Sequence, residues 1–380
     1  MELLRPKTPE ELGEALAAAA RGKKRITLGG AFTKNRMGQP PEPADVTIST
    51  AEMTRVVQYE PRDLTISVEA GLPFAELNRI AGEHGQMAPL DPPYYDQATV
   101  GGVVAANTNG PRRRLYGACR DLVIGMKFAT LQGKLIQSGG MVVKNVAGLD
   151  MAKLMIGSFG TLAALAVVNF RLVPVPLHTC TYASSFTTAG EAFAARDALL
   201  KSYLQPAAMD ILNPAAAARI GWEGYLLLVQ VGGSPTVLGR YARELGGVAI
   251  GGDQETALWR QVREFAPDFL AEHPEGAVTR VSCALLELPE AVREMEAPVV
   301  VRAGSGVCYG FFADAAAGVR AVHEAARRGR KAVIECVPGG ARPGFELWPD
   351  PGSDFVMMEK IKQMFDPDRI LNRGRLYGRL

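Results

Sequence analysis

The sequence predicts an α+β protein built in two parts, with a tail that packs back on the first. Three observations carry this reading. The chain has 380 residues, more than one hydrophobic core usually serves, which gives two or perhaps three domains. Short apolar strands dominate as far as "LAALAVVNFRLVPVP", which ends at Pro174 and Pro176; from about Thr181 helices and strands alternate, as when helices are layered on one sheet. The last stretch, "SDFVMMEKIKQMFDPDRILNRGRLYGRL", reads as one helix and a loop-rich tail.

The elements follow in order. Thr8 and Glu11 are spaced as a capping box and Pro9 takes the first position of an opening helix. A strand "RITL" leads into the loop "GGAFTKNRMG", and "DVTIST" is the next strand. "RVVQYE" and "LTISVEA" are strands split by the turn "PRD". "LPFAELNRIAGEHG" starts with proline and ends near glycine, as a short helix does. "LVIGMKFATL" and "KLIQSG" flank Gln132-Gly133 as a hairpin. In the second part, "TTAGEAFAARDALLKSYL" is an amphipathic helix and "GYLLLVQV" a buried strand. "SPTVLGRYAREL" is a helix with Ser234 as cap and Pro235 first. "DAAAGVRAVHEAARRG" and "KAVIECV" close that part.

Composition excludes several classes. The hydrophobic fraction of 47% and charged fraction of 22% are ordinary for a globular chain. A formal net charge of +2 gives no reason for a nucleic acid or a membrane surface as main partner. The five cysteines, Cys119, Cys180, Cys283, Cys308 and Cys336, form no CxxC pair. They read as small buried apolar residues in a reducing compartment, not as a disulfide framework or a zinc or iron–sulfur site. The first residues lack the order of a secretory signal, and no apolar run approaches a membrane span. The expected location is the cytoplasm.

Three glycine-rich loops carry the chemistry. In "LGGAFTKN", Leu28 to Asn35, two glycines follow a strand and precede Thr33 and Lys34. Successive N–H groups in such a turn form a nest for a diphosphate; the alternative, an ordinary glycine turn, ranks first on this loop alone. In "PYYDQATVGGVVAANTNG", Pro93 to Gly110, Gly101-Gly102 permits close backbone approach, and Asn107, Thr108 and Asn109 suit a diphosphate or sugar. Arg112, Arg113, Arg114 and Arg120 follow; their alternative is a solvated basic loop. In "GGMVVKNVAGLDMAKLMIGSFGTL", Gly139-Gly140 ends a strand and Lys144-Asn145 follows. Gly148 precedes a short helix from about Asp150 to Met155, and Gly157, Ser158 and Gly160 lead into a strand. A phosphate at a helix N-terminus favours such a layout. Lys144 is a phosphate partner, a base or a surface lysine.

Other signals fail on inspection. "VVVRAGSGVCYG" spaces Gly304, Gly306 and Gly310 close to a dinucleotide fingerprint, but strand-like residues follow where the Rossmann turn needs a helix. No GxxxxGK[ST] and no GxSxG elbow occurs. The four histidines, His84, His178, His273 and His323, share no helix at a ligand spacing.

Together the loops "ATVGGVVAANTNGPRRRLYGACRDLV", "GGMVVKNVAGLDMAKLMIGSFGTLA" and "FDPDRILNRGRLYG" resemble the vanillyl-alcohol oxidase or PCMH-type flavoproteins. Within them they are similar to the E-type subunits of bacterial glycolate oxidases. The resemblance covers roughly residues 1–175 and the tail after about 350. It implies a PCMH-type two-part FAD-binding domain, residues 1–175, with an α+β cap domain, 176–345, inserted before a C-terminal segment, 346–380. It also implies non-covalent FAD. Gly29, Gly30, Ala31, Phe32, Thr33 and Lys34 would lie against the diphosphate. Thr99, Gly101, Gly102, Asn107 and Gly110 would line it from the second loop. Gly148, Gly157, Gly160 and Thr161 would shape the third contact, and Asn372 would approach the isoalloxazine.

Departures from the family pattern shape the functional expectation. The tail has Asn372-Arg373-Gly374 where the family often has Asn-Pro-Gly, the first loop has Ala31-Phe32 where a third glycine is common, and that loop holds no histidine or cysteine for covalent attachment. Relatives that oxidise 2-hydroxy acids alone carry a histidine-rich metal motif in the cap, which this chain lacks. The expectation is therefore an FAD-binding subunit of a glycolate oxidase complex, working with a second flavin subunit and an iron–sulfur subunit on a small 2-hydroxy acid, with no metal and no nucleic acid. Such a complex is cytoplasmic or held at the inner face of the membrane through partner subunits. Two alternatives stay open: a non-catalytic assembly subunit with weak or no FAD, and a stand-alone FAD-dependent 2-hydroxy acid dehydrogenase. No catalytic residue is assigned: Tyr94 and Tyr95 lie in the second loop and Arg302 and Arg342 in or beside the cap, and the sequence does not distinguish any of them from a structural residue.

Overall fold

The computed structural model describes residues 2–142, 149–338, 344–348 and 351–380. Two sheet systems build the first part. A parallel sheet runs Glu2–Leu4, Val46–Ser49, Ile26–Gly29. An antiparallel sheet runs Val56–Glu60, Thr65–Glu69, Ala164–Arg171, Val123–Ala129, Leu135–Gly139. Of the inner strands, Ala164–Arg171 is almost wholly buried and reads as a mainly apolar run, whereas Thr65–Glu69 is wholly buried although Thr65, Ser67 and Glu69 alternate with Ile66 and Val68.

The helix Pro9–Arg21 fills the space between the two sheets with Leu12 and Leu16, against Ile26, Ile48, Ala164 and Leu371. Thr8 caps it by accepting from Glu11 N at 3.1 Å. The expected capping box is only half present: Glu11 reaches past Thr8 to accept from Lys7 N at 2.7 Å. On the far side of the five-stranded sheet, helices Phe74–Gly82 and Val100–Ala105 close a second core around Phe74, Phe128 and Phe170.

The second part is an eight-stranded antiparallel sheet. Its order is Val248–Ile250, His178–Phe186, Tyr225–Gly233, Ala208–Leu212, Val299–Arg302, Val307–Phe312, Ala277–Ser282, Lys331–Cys336. One face carries Ala189–Lys201, Pro235–Glu244 and Ala315–Arg327. The opposite face carries Gly252–Arg263 and Phe265–Glu272, together with Met37 and Phe159 of the first part. Helices thus cover both faces of this one sheet. The glycine decoy at Gly304 and Gly306 is the turn joining Val299–Arg302 to Val307–Phe312, an antiparallel hairpin with no phosphate-binding helix.

The tail returns to the first part. Leu371 bridges Ile26, and Asn372 N donates to Ile26 O at 2.9 Å. Behind it, Lys362 and Asp366 form a buried ion pair at 2.7 Å. Among the described residues no helix is long and apolar enough to cross a membrane.

Candidate functional site

A cavity of about 740 Å³ opens where the Ile26–Gly29 strand runs into its loop. Of the residues expected at a cofactor, Gly29, Gly30, Ala31, Phe32, Thr33, Lys34, Thr99, Gly101, Gly102, Gly160 and Asn372 all line it. The loops meet backbone to side chain: a Cβ on Gly30 would lie 2.1 Å from Thr99 Oγ1. Thr99 in turn caps Val100–Ala105, accepting from Gly102 N at 3.3 Å. Gly160, at φ +68°, passes beneath Asn372.

Asn372 is fully engaged. Its Oδ1 accepts from Leu28 N at 2.7 Å, and its Nδ2 donates to Leu28 O at 3.1 Å and Phe159 O at 2.8 Å. It reaches the cavity as a clasp between tail, strand and third loop, with both amide N–H groups already used.

Two other expected residues do not reach either cavity. Gly110 packs on Asp91, where a Cβ would sit 2.2 Å from Asp91 Cβ. Thr161 is buried and donates to Ser158 O at 2.8 Å. Gly148, Lys144 and Arg342 lie outside the described residues. Asn107 and Gly157 line a second cavity instead.

That second cavity, about 1340 Å³, lies between the two parts and meets the first at Ala106 and Phe159. Its cap side presents Arg263, Arg280, Arg302, Tyr309 and Glu335; its other side presents Asp91, Tyr94 and Arg113. Arg302 pairs with buried Asp210, whose carboxyl burial pushes up to about 6 against the pull of Arg302. Arg280 Nε donates to Glu335 at 2.7 Å. Glu335 is the extra residue of a bulge, since Val278 pairs with Cys336 and Thr279 with Ile334; bulges re-aim side chains in this way. Burial holds the Tyr309 hydroxyl and the Cys336 thiol up at about 12, so both are protonated near neutrality.

The basic loop divides. Arg112 is not a solvated charge: its Nε donates to Asp91 at 2.9 Å and its own N–H to Asp91 at 3.2 Å. Arg113 is exposed at the cavity rim. Tyr95 accepts from Asn78 at 2.8 Å and carries the Arg263 guanidinium 4.1 Å above its ring. Glu264 joins the parts by accepting from Tyr94 N at 2.7 Å and Tyr95 N at 3.1 Å.

Among the described residues, the first cavity is lined by Lys34 and Arg375 and by no carboxylate. Among the described residues, the N–H groups of Ala31, Phe32, Thr33 and Lys34 make no protein hydrogen bond. Lys34 is 7% exposed, and burial lowers its ammonium to about 7 despite Glu264 nearby. Arg375 is 6% exposed, and burial alone lowers it to about 10. Its Nε is sealed without a partner. A buried cation without a counter-charge is costly. Free N–H groups and unpaired cations around one cleft suit a diphosphate, so the residues present fit FAD. Sequence reasoning missed Arg375, Arg280 and Glu335. Only the arginine-rich "RGRLYGRL" offered a signal for the first.

Comparison with known proteins agrees with this geometry. Residues 2–139 match the FAD binding domain family, and residues 351–376 match the C-terminal domain of FAD linked oxidases. The chain is 29% identical to glycolate oxidase subunit GlcE of Escherichia coli (strain K12), over 98% of each chain. It is 27% identical to the mitochondrial D-lactate dehydrogenase [cytochrome] of Arabidopsis thaliana, over 71% of this chain and 47% of that one. Glycolate oxidase subunit GlcD of Bacillus subtilis (strain 168) is 26% identical over 56% of this chain and 45% of its own. Among solved structures, alkyldihydroxyacetonephosphate synthase superposes with a TM-score of 0.73 at 18% identity, over 97% of this chain and 75% of that one, which shows a shared fold.

Proposed function

We propose that this chain, a member of the FAD-linked oxidase family with FAD as its cofactor, is the FAD-binding subunit of a glycolate oxidase complex that oxidises glycolate to glyoxylate. The observation that carries the reading is the meeting of the two cavities at Phe159 and Ala106. A cleft whose described lining holds two cations and no carboxylate opens there onto an arginine-lined chamber. When bound, FAD supplies a two-electron acceptor. The loop Gly29–Lys34, Thr99, Gly101, Gly102 and Gly160 would hold it.

Similarity to subunit GlcE over nearly the whole length of both chains supports membership of a complex. In this reading a second flavin subunit carries the substrate-oxidising step, and an iron–sulfur subunit takes the electrons onward. A chemical reason favours that division. Oxidation of a hydroxyl needs a base for its proton, and the described acids of the second cavity are engaged: Asp91 by Arg112, Glu335 by Arg280.

A second reading, that the chain oxidises a hydroxy acid by itself, is favoured by the arginines of the chamber. The visible spectrum of the purified chain, before and after anaerobic addition of glycolate, separates the two. Flavin absorption that persists with glycolate and is lost once the partner subunits are added supports the subunit reading. Bleaching by the chain alone overturns it in favour of the second. A colourless protein that takes up no added FAD overturns both.

A further inference from the structure

We propose that Arg375, which reaches the backbone of the first loop from the far end of the chain and lines the same cavity as Lys34, joins Lys34 in holding the diphosphate of FAD, which makes the C-terminal tail part of the cofactor's binding surface. This deepens the reading that FAD occupies the first cavity, and rests on it.

Both side chains line that cavity and both are more than nine-tenths buried. Arg375 crosses from the tail to the first loop, where Nη2 donates to Lys34 O at 3.1 Å and Met37 O at 2.9 Å. Its Nε is sealed, with the guanidinium 5.2 Å from the centre of the Phe159 ring. Nη1 differs from both: it makes no protein hydrogen bond among the described residues, yet it is not among the sealed atoms. Nη1 is therefore the open edge of the guanidinium. Lys34 Nζ donates to Pro93 O at 2.5 Å and more loosely to Thr33 Oγ1 at 3.5 Å. An ammonium has three N–H groups, so one is left.

Among the described residues no carboxylate pairs with either side chain. The charged or titratable groups that bear on Lys34 are Glu264 and Cys336, and its ammonium stands 5.0 Å from the centre of the Tyr94 ring. Glu264 is already committed to Tyr94 N, Tyr95 N and Arg263 Nε. Cys336 and Tyr94 have both been pushed up by burial and are neutral. Among the described residues no charged group offsets Arg375. The flavin ring system is neutral when oxidised, so the diphosphate is the part of FAD that supplies the missing negative charge. The alternative is that Arg375 only splints the first loop through its two carbonyl contacts.

The test uses the full-length protein stripped of flavin and titrated with FAD and with riboflavin, which lacks the phosphates, by flavin fluorescence. A charge-assisted hydrogen bond lost at the site weakens FAD roughly 10- to 100-fold in Arg375→Met and in Lys34→Met, while riboflavin affinity changes less than about threefold. Equal losses for FAD and riboflavin make Arg375 a splint and overturn the proposal. An Arg375→Met protein that binds FAD as wild type does also overturns it and leaves FAD in the cavity. Wild type that binds neither flavin removes the underlying reading.

A measurement on wild type needs no variant. Burial holds the Lys34 ammonium down at about 7, so a diphosphate seated beside it should draw a proton onto the amine. FAD binding at pH 8 should therefore take up protons, read by calorimetry in buffers of different ionisation enthalpy, and riboflavin should take up none. No proton uptake with FAD overturns the role of Lys34.

Discussion

The ion pair behind the tail sets the position of everything the tail contributes. Lys362 is 1% exposed and Asp366 0%. Lys362 Nζ donates to Asp366 Oδ2 at 2.7 Å, Thr161 O at 2.8 Å and Leu371 O at 3.0 Å. Asp366 accepts from Ile370 N at 3.0 Å and Leu371 N at 2.9 Å. The pair thus fixes the turn that delivers Asn372 and Arg375. In Lys362→Met the ammonium disappears, while the Asp366 carboxylate and two carbonyls stay buried without it. An uncompensated buried charge of this kind costs about 3–5 kcal/mol. In a cooperative unit of 150–250 residues that lowers Tm by on the order of 6–20 °C. Differential scanning calorimetry of the apoprotein reads the loss. A second change, Asp366→Leu, removes the stranded carboxylate and should recover a large part of it. FAD affinity should fall in the single variant as well, because Arg375 loses its register. A loss under about 1 kcal/mol, or an additive double variant, refutes the reasoning.

Three further outcomes follow from the geometry. Gly30→Ala puts a methyl group 2.1 Å from Thr99 Oγ1, so the first two loops must part; FAD affinity should drop at least about tenfold, and an unchanged titration would show that the loops separate freely. Glu264→Ala leaves Tyr94 N and Tyr95 N without their acceptor, at a cost of roughly 1–3 kcal/mol each if they stay dry; urea unfolding gives the number, and a neutral variant would mean that water replaces the carboxylate. Asp210 has a carboxyl raised to about 6 in the folded chain, so its contribution to stability is full below about 4 and is lost as pH rises through about 6. The stability of wild type minus that of Asp210→Asn should therefore fall over this window, and a difference independent of pH would refute the assignment.

The sequence made local elements legible and left long-range closures hidden. Thr8 and Ser234 cap their helices because capping depends on residues three apart. The hairpin around Gln132-Gly133 follows from turn chemistry within a few residues. The glycine loops were legible as loops, and eleven of their expected residues, Asn372 included, share one cavity. Hidden were contacts whose partners stand far apart: Arg375 on Lys34 O across 341 positions, and Glu264 on Tyr94 N across 170. Glu335 was illegible for another reason, since its aim depends on one extra residue in a strand. Arg112 looked like its basic neighbours and differs only through Asp91, 21 positions away.

Backbone strain marks the same place independently. Nine described non-glycine residues have positive φ. Five of them, Phe32, Tyr94, Asn107, Phe159 and Asn372, line one or both cavities. A left-handed backbone costs a bulky side chain about 1–3 kcal/mol and persists only where its surroundings over-determine it. Here the surroundings can be named: Asn372 clasps Leu28 and Phe159, Glu264 holds the Tyr94 turn, and Phe159 N donates to Ala105 O at 2.8 Å. Phe32 turns its ring against Gly29, where a Cβ would lie 2.5 Å from it. The aromatic rings at Tyr94 and Phe159 are thus set by backbone that cannot relax without breaking a cap or a tail contact. Cofactor cavity, cap and tail therefore behave as one constraint. A change that frees the tail should loosen Phe159, and with it the wall shared by the two cavities.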